Sequence, residues 1–438
     1  MAVSAMSVSP YWELTFDADG DVDAAERDRL IAEVTRHDVR DLIVFAHGWN
    51  NDRSGATSLY GHFFAPFPQL APAARIGYVG VIWPSMLFSD EPIPDFPRAV
   101  VAELPPRQAL DKDTRQALLK TFPGRAAVID RIALMLDRHT GGQTELEEFG
   151  RLVRGLVEVV PTGGPARFTA DTVTEGVPQS EPAMFTGSAA EVCQVLAQAL
   201  AGLESPGGQE SFTLPNPWDG ARELLRQATY YAMKQRAGTV GERGLGPAIG
   251  RLANAATDVR VHLVGHSFGG RLVSFALRGL PAGVRTVKSV TLLQGAFSHY
   301  AFAARVPDDD HTGGVLQGQQ NRVDGPLVCC YSRFDSALGT MYPLASRMAD
   351  DDRSFAGLDI GGLLGVRWGA MGHDGVQAVP GTTALSLQQA LVSPLPTSGC
   401  VNIDAAAVVC HGDPPSGAHS DILHPELAQV VLAAGRVG

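Results

Sequence analysis

Cysteine is scarce in this 438-residue chain, and its arrangement speaks against two frameworks at once. The five thiols, Cys193, Cys329, Cys330, Cys400 and Cys410, are odd in number and form no C-x-x-C pair. A zinc ribbon or a disulfide scaffold is therefore not expected. Cys329 and Cys330 lie in an apolar strand pattern and read as small buried hydrophobes, and a Cys400–Cys410 bridge is not expected either. Positive charge is short as well: 35 Lys and Arg face 47 Asp and Glu, a formal net charge of −12. That balance argues against nucleic acid as a partner, because phosphate binding needs a basic surface. No apolar run is long enough to span a bilayer. The opening M-A-V-S-A-M-S-V-S-P lacks the basic start and apolar core of a signal peptide, so a cytoplasmic protein is expected. No internal repeat occurs, and the acidic triplets Asp308–Asp310 and Asp350–Asp352 read as solvated loops rather than cation sites.

What remains is a globular composition, 45% hydrophobic, with length for a large core in one α/β domain with insertions or in two domains. Its most informative stretch is Val259 to Leu277, V-R-V-H-L-V-G-H-S-F-G-G-R-L-V-S-F-A-L. Val259 to Val264 suits a buried strand, and from Arg271 the apolar residues recur at helical spacing (Leu272, Phe275, Ala276). Between them Gly265-His266-Ser267-Phe268-Gly269 has the form G-x-S-x-G. A serine on a sharp strand-to-helix turn needs neighbours without Cβ, and the helix behind it favours developing negative charge. Ser267 is thus the candidate nucleophile.

A second signal lies upstream. Asp41 to Ala46 is a continuous apolar run of the kind found in central parallel strands, and it ends in His47-Gly48-Trp49-Asn50-Asn51. An H-G-x turn after a strand can aim the backbone N–H of its third residue, Trp49, into a cleft. The N–H of Phe268, next to the serine, would be the second donor of an oxyanion hole. Other expected strands are Tyr11 to Phe16 (an edge), Ile76 to Trp83, Val287 to Leu293, Leu327 to Tyr331 and Val401 to Val409. A helix carries Leu30, Ile31 and Val34.

These two motifs together resemble the α/β-hydrolase superfamily, in particular its lipase- and esterase-like serine hydrolases. The resemblance covers His47–Asn51, Val259–Leu277 and, more loosely, the C-terminal strands. It implies an α/β-hydrolase fold: a mostly parallel central sheet flanked by helices, with a core of residues 1–85 and 218–438. Residues 86–217 fall outside it. They open with Pro92, Pro94, Pro97, Pro105 and Pro106, and continue with helical patterns at Arg107–Lys120, Ala126–Arg138, Gln143–Val159 and Ala189–Leu203. Loops such as Pro161–Pro165 and Ser205–Gly208 separate them, and the segment reads as an inserted helical cap whose amphipathic faces need a surface to bury. Helices at Ala221–Ala237 and Gly244–Ala256 lead back to the serine strand, a polar insertion runs from Ser298 to Gly325, and a helical pattern spans Thr383–Leu391.

A serine hydroxyl needs an imidazole to take its proton and an acid to orient that imidazole. The family order along the chain is serine, acid, histidine, with the acid beyond the second strand after the elbow. Counting strands gives Asp335, in Ser332-Arg333-Phe334-Asp335; Asp324 and Asp308–Asp310 precede that strand and fit worse. For the base, His419 on the loop into the last helix is favoured over His411, His424 and His373. His47 is expected to order the oxyanion loop, and His47, Gly48 and His266 to border the substrate. The implied activity is hydrolysis of a small ester or lipid-like substrate through an acyl-enzyme, with neither metal nor organic cofactor. An amidase, thioesterase or peptidase would use the same residues, and a non-catalytic relative that binds a ligand under its cap is the other alternative.

Overall fold

The computed structural model describes residues 6–49, 51–86, 110–138, 142–157, 168, 170–174, 183–204, 215–307, 309–338, 369–412 and 417–438. Ten strands occur among them: β1 (Tyr11–Thr15), β2 (Asp41–Ala46), β3 (Ile76–Ile82), β4 (Thr172–Thr174), β5 (Arg260–His266), β6 (Val287–Leu293), β7 (Thr312–Gly314), β8 (Pro326–Tyr331), β9 (Thr383–Ser386) and β10 (Gly399–Asp404). Eight of these form one sheet in the order β1-β3-β2-β5-β6-β8-β10-β9, while β4 and β7 pair as a small antiparallel ribbon. The sequence led to a mostly parallel sheet, and all eight strands in it are parallel.

Parallel strands joined by helical crossovers are buried on both faces, which is why β2 and β3 read as unbroken apolar runs. Side chains alternate between the faces. Leu42, Val44, Val261 and Leu263 join a core under the helices Ala24–Arg36, Pro217–Thr239, Gly246–Ala255 and Phe268–Gly279. Ile43, Phe45, Val264 and Val328 face the opposite core, under Arg53–Phe64 and Pro425–Gly435.

Among the described residues the helices within the 86–217 segment are Lys112–Thr121, Ala126–Arg138, Gln143–Val157, the short Ala183–Thr186 and Ala189–Glu204. Gln143–Val157 and Ala189–Glu204 pack against the long helix Pro217–Thr239, where the rings of Phe149 and Trp218 meet edge to face at 5.9 Å. That long helix in turn packs on Phe268–Gly279. Pro92, Pro94, Pro97, Pro105, Pro106, Asn50, Asp308, Asp350–Asp352 and the loops 161–165 and 205–208 lie outside the described residues, as does the start of the helix expected from Arg107.

Three expectations change. Thr383–Ser386 is an edge strand, and the helix begins only at Leu387. Ser386 and Gln389 form a capping box there, which satisfies the first helical N–H groups and fixes the start. Strand β10 ends at Asp404, whose side chain accepts the Ala406 N–H and turns the chain, so Ala405–Val409 is not strand. The insertion after Ser298 is polar in sequence but buries Tyr300, Phe302 and Leu316. All five cysteines are free thiols.

Candidate active site

Because the strands are parallel, all their C-terminal ends lie on one edge of the sheet, where ligands of open α/β sheets bind. The neighbours β2, β5, β6, β8 and β10 bring five exits together. They carry His47-Gly48-Trp49, Ser267, Gln294, Asp335 and the loop with His419. Two strands separate β10 from β5, so that loop must return across about 14 Å, three strand spacings.

Ser267 has φ +54° and ψ −121°, a backbone conformation costly for any residue with a Cβ. Backbone bonds hold it: its N–H donates to Leu293 O (3.0 Å), and its own carbonyl accepts from Gly270 (3.0 Å) and Ala296 (3.2 Å). Two absent Cβ atoms make room. At Gly269 a Cβ would collide with the carbonyl of Ala46, and at Gly48 it would lie 2.7 Å from the Ser267 Cβ. The H-G-W turn is therefore pressed against the serine. Phe268 begins the following helix, so its N–H is among those a helix N-terminus leaves without an intrahelical acceptor.

The three residues picked for the relay meet. His419 Nε2 is 2.9 Å from Ser267 Oγ, and His419 Nδ1 is 2.7 Å from Asp335 Oδ2. The carboxylate selects the tautomer with the proton on Nδ1, which leaves Nε2 free to accept the serine O–H. Asp335 is fully buried, and its Oδ1 accepts the Leu338 N–H at 3.0 Å.

The two histidines beside Ser267 are buried and neutral. Burial pushes His47 down to about 4 and His266 down to about 3. His47 Nδ1 is 2.8 Å from Gly48 O, and its backbone N–H donates to the Tyr60 hydroxyl at 3.0 Å. Its ring stacks on Trp83 at 5.5 Å, whose indole N–H donates to His47 O at 3.0 Å. His47 thus orders the turn, and Tyr60 and Trp83 brace it. His266, expected to border the substrate, is only 2% exposed. Its Nε2 lies 2.9 Å from the carbonyl of His419, so it fastens the returning loop at His419 itself.

The other histidines point elsewhere. His411 and His424 both face Asp421, and His373 faces Asp374. Asp324 pairs with Lys288 away from the site. Trp49 meets Tyr230 edge to face at 5.5 Å, and Tyr230 lies 4.6 Å from Phe268, so aromatic rings flank the serine.

Sequence reasoning missed Gln294 and a buried ionic cluster. Gln294, itself at φ +46° and fully buried, reaches Asp335 Oδ2 at 3.5 Å and donates to Gly372 O at 3.2 Å. No motif marks it. Arg271, in the first turn after the serine, is fully buried and pairs with Asp171, which also binds Lys234 Nζ at 2.8 Å. Arg271 further donates to the carbonyls of Phe168 and Ala170, fixing that part of the 86–217 segment behind the elbow helix. An arginine inside an apolar helical stripe was the available clue. No protein-family model, no curated protein and no solved structure matches this chain.

Proposed function

We propose that this chain is a serine hydrolase of α/β-hydrolase fold that cleaves carboxylic esters through an acyl-enzyme. The observation that carries the reading is the pair of distances from His419, 2.9 Å to Ser267 Oγ and 2.7 Å to Asp335 Oδ2. Ser267 Oγ bonds to the ester carbonyl carbon while its proton passes to His419 Nε2. The resulting oxyanion is held by the N–H groups of Trp49 and Phe268, which a turn pressed against the serine and a helix N-terminus aim at that spot. Asp335 stays ionised and stabilises the imidazolium. The carbonyl-to-alkoxy bond then breaks, the alcohol leaves with the proton from His419, and water repeats the two steps to free the acid.

Trp49 and Tyr230, packed against the buried Phe268 next to the nucleophile, favour an apolar acyl group, hence an esterase- or lipase-like substrate. Helices Gln143–Val157 and Ala189–Glu204 of the 86–217 segment pack on Pro217–Thr239, the helix that brings Tyr230 beside Phe268, and this is where the proposed cap attaches. No step needs a metal or an organic cofactor. Among the described residues no helix is long and apolar enough to cross a membrane.

The test is turnover of p-nitrophenyl esters from acetate to palmitate by wild type, Ser267→Ala and His419→Ala. Wild type should turn over and both variants should lose about 10⁴-fold or more in kcat. An active Ser267→Ala would sink the proposal. Turnover of amides or thioesters in place of esters would move the substrate class and keep the mechanism.

A further inference from the structure

The loop that carries His419 holds a group of side chains the hydrolytic chemistry does not use. Cys410 and His411 leave the end of β10's exit turn, and Asp421 lies two residues after His419. Their ligand atoms, a thiol sulfur, an imidazole nitrogen and a carboxylate oxygen, all lie within 4.8 Å of one another. Cys410 Sγ is 3.4 Å from His411 Nδ1, and His411 Nδ1 is 3.4 Å from Asp421 Oδ2. Tetrahedral zinc at ordinary bond lengths separates sulfur from nitrogen by about 3.5 Å and nitrogen from oxygen by about 3.3 Å. Two of the three edges therefore already have the spacing the metal needs.

We infer that Cys410, His411 and Asp421 form a binding site for a borderline-soft divalent cation, Zn2+ in the first place. The donor set selects it: one thiolate, one imidazole and one carboxylate suit zinc and exclude Mg2+ and Ca2+, which take oxygen ligands. Three protein ligands leave a fourth position for water. The outer contacts are also in place. His424 Nε2 sits 2.8 Å from Asp421 Oδ1, and the backbone N–H groups of Cys410 and His411 donate to Asp421 Oδ2 at 2.9 and 2.8 Å. Such partners fix the orientation of a ligating carboxylate. On binding, the Cys410 thiol gives its proton to the buffer, because the thiolate is the ligand. Sequence spacing hides the site, since two ligands are adjacent and the third lies ten residues on.

The site joins residues 410–411 to residue 421 and so clips together the two ends of the loop that presents His419. Binding itself is independent of the hydrolase proposal; only its consequence for a catalytic base rests on that reading.

The test uses Co2+ and Zn2+ with the full chain. Co2+ should saturate at one equivalent with a thiolate charge-transfer band in the near ultraviolet, and Zn2+ should displace it. Cys410 is the one cysteine of the five that is not buried, so Zn2+ should also block the fast-reacting thiol toward dithionitrobenzoate. Cys410→Ser should abolish the band, His411→Ala should weaken binding at least about 10-fold, and His424→Ala should weaken it by about 10–100-fold. The His411 side chain is 82% exposed, so its removal leaves the fold intact. No band and no thiol protection in wild type, or an undiminished band in His411→Ala, would overturn the inference.

Discussion

Asp171→Asn is the substitution whose effect the structure defines best. Asp171 is 8% exposed and accepts from two buried cations, Arg271 and Lys234, and from the backbone N–H of Ser298 at 3.1 Å. Asparagine keeps the shape and removes the charge, so both cations lose the carboxylate they share in a low-dielectric interior. Breaking a buried pair in this way costs about 3–5 kcal/mol, a large part of the 5–15 kcal/mol that holds a typical domain folded. A second change works in the opposite direction. In Asp171→Asn with Lys234→Met one of the two buried cations is gone, so the double variant should be more stable than Asp171→Asn alone. Urea unfolding followed by tryptophan fluorescence reads both quantities, with Trp12, Trp83 and Trp218 all buried in the native state. Asp171→Asn destabilised by less than about 1 kcal/mol, or a double variant less stable than the single one, would refute the reasoning.

His47 and His266 are held neutral by burial, at about 4 and about 3, whereas in the unfolded chain both titrate near 6.5. Below pH 6.5 the unfolded state binds protons that the native state refuses, so stability falls as pH drops from 6.5 toward 4. At pH 5 each histidine costs about 2 kcal/mol relative to neutral pH, and a flat urea midpoint between pH 7 and 5 would contradict this. Gly48→Ala forces a methyl group to within 2.7 Å of the Ser267 Cβ and displaces the Trp49 N–H. It should lower ester turnover by about 10²–10³-fold while circular dichroism stays unchanged, and undiminished turnover would count against the oxyanion assignment. His266→Leu removes the bond to the His419 carbonyl and should lower kcat with KM unchanged, less severely than His419→Ala. His266→Gln, which can donate to the same carbonyl, should recover part of the loss; equal losses in both variants would argue against positioning.

How much was legible depends on how local each signal is. The serine turn could be read because strand, glycines and helix all fall within Val259–Leu277 and each enforces the others. Asp335 could be picked out only by counting strands and His419 only from the resembled family's placement of its histidine before the last helix; the fold sets His419 between Asp335 and Ser267. Gln294 escaped because its role comes from a left-handed backbone and contacts with Asp335 and Gly372, far apart in sequence. The edge strand Thr383–Ser386 escaped because its four residues carry no alternation that outweighs the helical pattern after them. Arg271 and Asp171 are 100 residues apart, and a buried charge pair has no periodicity.

The central claim is that His419 activates Ser267 as a nucleophile. The most direct measurement is reaction of the folded protein with a fluorophosphonate, followed by mass analysis of the labelled peptides. One adduct, on Ser267, is expected in wild type, with labelling slowed by orders of magnitude in His419→Ala. A folded wild-type protein that takes no label, or that carries it on another residue, would contradict it.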